Sequence, residues 1–226
     1  NFLVGSEQNI ERKIREARIP YTIPDRDDIS DRLGAVLTVI YLIFNEGYTA
    51  TSGAPLVRAD LCAEAIRLGR LLVSLMAPRP PAEAIGLVAL MLLHDSRRDA
   101  RLGEAGDLIT LEDQDRSRWN HAAIAEAVPL VEQALRDGPG PFALQAAIAA
   151  AHCRAARPED TDWPEIVRLY DLLERVQPSP IVSLNRAVAV AMARGPQAGL
   201  AIIDGLTAAG DLEGYHLLHA ARDRKS

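Results

Sequence analysis

The segment DWPEIVRLYDLLERVQPSPIVSLNRAVAVAMARGPQAGLAIIDGL, residues 162–206, decides the fold of this chain. Pro178 closes a first helical stretch, and the pair Gly195-Pro196 separates a second stretch from a third. Small residues such as Ala187 and Ala191 stand where two helices can cross closely. One pair of short helices cannot bury its apolar face alone, so the segment predicts hairpins that stack on their neighbours.

The same residues resemble the tetratricopeptide pattern, with an acidic-aromatic start at Asp162-Trp163, Tyr170 four residues after Ile166, and a period near 34 residues. We therefore predict an all-α fold, a helical-hairpin repeat array forming a tetratricopeptide-like superhelix. An irregular helical bundle is the alternative. The predicted helix pairs are 30–46 with 57–77, 82–98 with 117–136, 141–156 with 162–177, and 180–193 with 196–208, and they leave a helix at 211–223 without a partner.

The amino-acid composition and the net charge argue against some classes of protein. Of 226 residues, 48% are hydrophobic and only 4% aromatic, which suits close helix packing, and the net charge of −6 argues against nucleic acid as the main ligand. No apolar run reaches the 18 residues of a membrane span and no signal peptide is recognised, so we expect a soluble protein. We expect Cys62 and Cys153 to be buried thiols of a reducing compartment.

Two prolines near the beginning, Pro20 and Pro24, favour an extended backbone before each of them. We therefore predict a linker at 19–29, preceded by a short helix at 6–17 and followed by a domain at 30–226 with Ser30 as its N-cap. Pro129 is expected to kink its helix or mark a boundary. The chain begins at Asn1 rather than at a methionine, which indicates part of a longer protein.

A dense set of charges surrounds the segment 99–117, which is expected to be an ordered loop ending at a buried Trp119. Catalysis is one reading of so many acidic and basic groups. We favour a salt-bridged network that pins the loop against the array. The members of this charged loop are Asp95, Arg97, Arg98, Arg101, Glu112, Asp113, Asp115, Arg116 and Arg118.

The pair His94-Asp95 resembles the metal-binding pair of metal-dependent phosphohydrolases, which need further ligands such as His121, His152, His216 or His219. No partner at helical metal spacing accompanies His94, although His216 and His219 are themselves three residues apart. We predict no catalytic residue, no metal and no cofactor. Eight residues are instead predicted to line a partner-binding groove on the helices at 141–156, 180–193 and 211–223: Gln145, His152, Asn185, Arg186, Tyr215, His216, His219 and Arg222.

Five stretches resemble a known family when they are taken together. They are VIYLIFNEGY (39–48), DLCAEAIRL (60–68), LMLLHDSRR (90–98), LEDQDRS (111–117) and LNRAVAVA (184–191). They look like the C-terminal tetratricopeptide-like extension of a bacterial extracytoplasmic-function (ECF) RNA polymerase sigma factor. The resemblance covers nearly the whole chain.

The resemblance implies a regulatory, protein-interaction domain that acts in transcription initiation in the cytoplasm. Residues 1–18 are similar to the tail of the helix-turn-helix of sigma region 4, and the rest of the promoter-binding core is absent from this chain. The implied partners are the RNA polymerase core, the protein's own sigma core, or both, with promoter DNA bound only through the parent protein and no membrane. The family continues beyond residue 226 with more helix. A generic helical-repeat scaffold and a metal-dependent hydrolase are the alternatives.

Overall fold

A computed structural model describes residues 26–48, 55–103 and 107–208, and within these ranges the chain is all-α, as predicted. The predicted helices at 6–17 and 211–223 and residues 19–25 of the linker lie outside them. The chain divides into two units, residues 1–36 and 37–226. The α-helices are α1 Arg26–Tyr48, α2 Pro55–Leu75, α3 Ala82–Asp95, α4 His121–Arg136, α5 Pro141–Arg154, α6 Trp163–Val176, α7 Pro180–Arg194 and α8 Pro196–Ala208.

The division between the units falls within α1, so the described part of the first unit is the beginning of that helix. α1 starts at Arg26, four residues before the predicted N-cap Ser30, so residues 26–29 are helical and not linker. Pro24 is the last residue that disfavours helix, and nothing between it and Ser30 prevents an earlier start.

The core of the second unit is built around α3 and α5. Every residue from Ala84 to Leu93 on α3 is buried, as are most residues of α5, whose interior is largely alanine. A helix that is apolar on all sides requires neighbours on all sides. α3 packs against α2, α4 and α5, and α5 also packs against α4 and α6, which explains how a core forms with so few aromatic side chains.

Proline and short polar side chains set the ends of the later helices. Pro141, Pro180 and Pro196 each begin a helix, and Ser179 caps α7 by accepting a hydrogen bond at Oγ from the Ile181 amide at 3.3 Å. Gly195 joins α7 to α8 with a φ of +100°, a backbone conformation that residues with a Cβ rarely adopt. The local sequence therefore specifies the α7–α8 hairpin.

Three predicted boundaries need correction. α3 ends at Asp95, followed by a 3₁₀ turn at Arg98–Ala100, and another 3₁₀ turn at Arg116–Arg118 precedes α4. α4 runs through Pro129 without a break. Pro129 is exposed, so water can satisfy the backbone carbonyl that loses its helical partner.

None of the helices in the described ranges combines the length and the apolar character needed to cross a lipid bilayer.

Candidate functional site

A groove of about 1070 Å³ lies beside the charged loop, within the second unit. Residues of α6, α7 and α8, called the floor, line it together with residues of the charged loop and of the turn before α6, called the rim. Its lining residues are Leu111, Glu112, Asp113, Arg116, His152, Pro158, Glu159, Thr161, Trp163, Ile166, Tyr170, Leu184, Asn185, Ala187, Val188, Ala189, Ala191, Met192, Pro196, Gly199, Leu200 and Ile203.

One row of α7 side chains gives the groove its exposed apolar surface. Asn185, Val188 and Met192 are spaced three and four residues apart, so they lie on one helix face. Val188 is 37% exposed and Met192 is 40% exposed, although both are apolar. Gly199 lets α8 approach closely, because a Cβ there would lie 2.6 Å from the Ala187 carbonyl oxygen.

The predicted groove residues divide into three groups. His152 and Asn185 line this groove. Gln145 and Arg186 are not among its lining residues. Tyr215, His216, His219 and Arg222 lie outside the described residues.

Helix geometry explains why Arg186 is turned away although Asn185 is not. Successive residues of an α-helix point about 100° apart, so two neighbours rarely face the same groove. Arg186 Nε instead donates a hydrogen bond to Asp171 Oδ1 at 2.6 Å and lies 3.6 Å from Glu174 Oε2, both on α6. Arg186 therefore joins α7 to α6.

Arg116 connects the charged loop to the end of α5. Its Nη1 donates hydrogen bonds to the backbone carbonyls of His152 at 2.9 Å and Ala155 at 2.5 Å. Its guanidinium lies 4.7 Å from the centre of the Trp119 ring, and Trp119 is buried, as expected from the sequence. A cation at the C-terminal end of a helix satisfies carbonyls that have no helical partner and stabilises the helix dipole.

Arg101 holds the other end of the loop in a similar way. Its Nη1 donates to the Tyr48 carbonyl at 2.6 Å, and its guanidinium lies 3.7 Å above the Tyr48 ring. Tyr48 also stacks on Phe44 and meets the edge of His94 at 5.3 Å. Tyr48, the last residue of α1, thus contacts three other side chains, and this role was not identified from the sequence.

The salt-bridged network predicted for the loop needs correction. Among its members in the described ranges, only Asp95 and Arg98 form an ion pair, with Nε and Oδ1 2.9 Å apart. Arg101 and Arg116 bind backbone carbonyls and aromatic rings instead. Both guanidinium groups cap helix ends, because a guanidinium offers several donors and needs no carboxylate partner.

The acidic members of the loop behave differently from one another. Asp113 Oδ2 accepts a hydrogen bond from Thr110 Oγ1 at 2.6 Å, and Asp115 Oδ1 caps the 3₁₀ turn by accepting from the Ser117 amide at 2.9 Å. Hydrogen bonds from Ser117 lower the pKa of Asp115. Glu112 is exposed and faces the groove.

Two histidines near the loop are held neutral. Burial lowers the pKa of His94 to about 3, and the charges of Arg97 and Arg101 act in the same direction. Burial lowers the pKa of His152 to about 4, with Arg97 and Arg116 adding to the effect. His152 meets Trp163 edge to face at 5.2 Å, so both imidazoles pack as aromatic rings.

The described residues do not complete the metal site considered for His94 and Asp95. Within residues 26–48, 55–103 and 107–208, no three His, Cys, Asp or Glu side chains converge as a metal-binding group. Cys62 is buried, as expected, and its thiol donates to the Phe44 carbonyl at 3.6 Å, whereas Cys153 is only partly buried. Burial raises the pKa of both thiols.

Sequence reasoning missed most of the groove floor. Trp163 is the first residue of α6 and Tyr170 lies about two turns further on, and burial raises the pKa of Tyr170 to about 12. Val188 and Met192 were not singled out, although both are exposed in the groove. A usable signal was their spacing from Asn185 on the same α7 face.

Comparisons with known proteins give two matches. The model of a family of unknown function (DUF6596) matches residues 32–135, just under half of the chain, and ends before α5. An uncharacterized protein of Rhizobium meliloti (strain 1021) is 51% identical over 228 residues, which cover 98% of this chain and 53% of that protein. The chain thus spans about half the length of this relative. No solved structure matches the chain.

Proposed function

We propose that this chain is a regulatory, protein-interaction domain of an ECF sigma factor and that it acts in transcription initiation through the groove. Its partners would be the RNA polymerase core, the sigma core of the parent protein, or both. Promoter DNA would be bound only by the parent protein. The proposed activity is binding rather than catalysis, in the bacterial cytoplasm where transcription takes place.

One observation supports this proposal most strongly. The groove is lined by two of the five stretches on which the family resemblance depends, namely 111–117 and 184–191. These stretches are about 70 residues apart in the sequence, yet both line one cavity. Loops positioned by a rigid scaffold often hold binding residues, and this loop is fixed at both ends by arginine caps.

The helix contacts also support the finer proposal of a tetratricopeptide-like repeat array. α3 packs on α4, α5 on α6, and α7 on α8, which are three of the four predicted pairs. α3 also packs on α5, the first helix of the next pair, and α6 on α7. Stacked pairs of this kind present an extended concave surface, which repeat proteins use for binding.

The two alternative functions have less support. A hydrolase using His94 and Asp95 would need an accessible site, but His94 is enclosed beside Tyr48 and Asp95 is paired with Arg98. A generic scaffold would not need an open groove with exposed apolar side chains in its floor. Exposed apolar surface in a concave site is typical of a surface that binds a partner.

The proposal is tested by making the groove floor polar in the full-length parent protein. The double substitution Val188→Asn with Met192→Gln changes two exposed groove residues one helical turn apart on α7. Burying two such side chains in an interface contributes about 3 kcal/mol, so the substitution should weaken partner binding by about 100-fold. Transcription from a target promoter should fall, while the helical circular dichroism signal stays unchanged.

A matched control is available on the neighbouring helix. Leu172 is 38% exposed and Val176 is 50% exposed; both lie one turn apart on α6, outside the groove. Leu172→Gln with Val176→Asn should leave transcription unchanged. Equal transcription from both double variants and the parent protein, with folds intact, would reject the groove as the functional surface.

A further inference from the structure

The groove described above has an apolar floor and a charged rim of one sign. Val188, Met192 and Leu200 face the cavity from α7 and α8. Glu112, Asp113 and Glu159 also line the cavity, and all three are exposed. None of the three forms an ion pair with another residue in the described ranges.

The positive charge at the rim is already engaged. Arg116 is the cationic side chain that lines the groove, and its Nη1 is bound to the carbonyls at the end of α5. His152, the remaining basic group of the lining, packs against Trp163 and has a pKa of about 4. At neutral pH the charges left free for a ligand are therefore negative.

This pattern selects the chemistry of the occupant. An acidic segment or a nucleic acid would place its negative charges against three carboxylates, and like charges at an interface oppose association. A segment with apolar side chains on one face and Lys or Arg beside them matches both floor and rim. Helices of this kind commonly bind in apolar grooves.

We propose that the groove binds an amphipathic, basic helical segment of a partner protein, with its apolar face on α7 and α8 and its cationic side chains at Glu112, Asp113 and Glu159. This inference rests on the proposed function and names the chemistry of the partner segment.

The test uses the whole chain and two designed, fluorescently labelled peptides of about 18 residues, or about five helical turns. One contains Leu and Ala on one face and Lys on the other, and the second has Glu in place of every Lys. Fluorescence anisotropy should show at least tenfold tighter binding of the Lys peptide, because each exposed charge pair contributes a small but additive share. Its affinity should fall as salt is added.

Two charge-matched variants locate the binding. Glu112→Gln with Glu159→Gln should weaken binding of the Lys peptide about fivefold, since two exposed ion pairs are lost. Glu46→Gln with Glu132→Gln removes the same charge from exposed positions outside the groove and should have no comparable effect. Val188→Asn with Met192→Gln should weaken binding at least tenfold.

Several results would overturn the inference. Equal or tighter binding of the Glu peptide would reject the assigned charge, and binding insensitive to the groove variants would place the peptide elsewhere. Lys-peptide binding that appears only after Leu212→Asn with Leu218→Asn would assign the groove to the chain's own residues 209–226. A dimer in sedimentation that Val188→Asn with Met192→Gln dissociates would assign it to a second copy.

The transcription assay separates this inference from the proposed function. Loss of transcription in Val188→Asn with Met192→Gln, together with failure of the Lys peptide, would reject only the chemistry of the partner. Unchanged transcription would reject the function as well.

Discussion

Replacing Gly86 by alanine tests the crossing of the two central helices, α3 and α5. A Cβ at Gly86 would lie 2.6 Å from the Ala143 nitrogen and 2.7 Å from its Cα. Non-bonded carbon atoms prefer separations of about 3.5–4.0 Å, so one helix would have to move by roughly 1 Å. Both contacts are with backbone, which cannot rotate away as a side chain does.

Two opposing effects decide the sign of the change. Alanine is favoured over glycine inside a helix by about 1 kcal/mol. Overpacking a dense core costs about 1–3 kcal/mol, and here the cost falls at the upper end because backbone must shift. We therefore expect Gly86→Ala to destabilise the chain by about 1–2 kcal/mol, which corresponds to a fall in Tm of about 5 °C for a protein of this size.

Thermal unfolding followed by circular dichroism measures this change. Gly205→Ala on α8 is the matched control, because a Cβ there meets nothing within 4 Å. The control should raise Tm by about 2 °C, since only the helix preference acts. If Gly86→Ala also raised Tm, the close packing of α3 on α5 would be refuted.

Three further changes test the loop, a helix start and a buried histidine. Arg116→Met should lower the free energy of unfolding in urea by about 3 kcal/mol, because two carbonyls lose a charged donor. The control Arg118→Met, at an exposed neighbour, should change it by less than about 0.5 kcal/mol. Equal effects of the two substitutions would contradict the capping role of Arg116. Glu83→Gln should cost about 1–2 kcal/mol in the same assay, because the Glu83 carboxylate accepts both amides at the start of α5, each at 3.0 Å; an unchanged midpoint would contradict it. His152 has a pKa of about 4 in the folded chain, below the ordinary 6.5. Above pH 6.5 it is neutral in both the folded and the unfolded chain. As the pH falls below 6.5, the unfolded chain binds a proton at this histidine before the folded chain does. This histidine should therefore lower the free energy of unfolding by about 1.4 kcal/mol for each pH unit as the pH falls from about 6.5 to 4. His152→Gln should remove that contribution, and the exposed control His121→Gln should retain it. Identical slopes for the two variants would contradict the assignment.

Local signals in the sequence were sufficient for most of the fold. The junction Gly195-Pro196 and the stop at Pro178 located α6, α7 and α8 to within a residue or two, because proline and glycine act on the backbone where they stand. Ser30 and Pro129 misled the prediction. A capping residue is tolerated inside a helix. Where a proline stands on an exposed helix face, water can bind the backbone carbonyl that loses its helical partner.

The candidate site was harder to predict because it depends on direction and distance. Arg186 and Asn185 are neighbours in the sequence, but helix rotation separates them into an interhelix tie and a groove residue. Arg116 was expected to bind neighbouring charges or helix ends, and its partners are carbonyls at the end of α5, about 40 residues away. Backbone carbonyls are present at every residue, so composition cannot reveal which of them lies at an unpaired helix end.

Site-specific photo-crosslinking in the full-length parent protein tests the central claim most directly. A benzophenone side chain would replace Met192 in the groove or, as a control of equal exposure, Leu172 on α6. Irradiation of living cells should join position 192, but not position 172, to an RNA polymerase subunit or to the sigma core. Crosslinks to these partners from position 172 alone, or from neither position while the protein remains active in transcription, would contradict it.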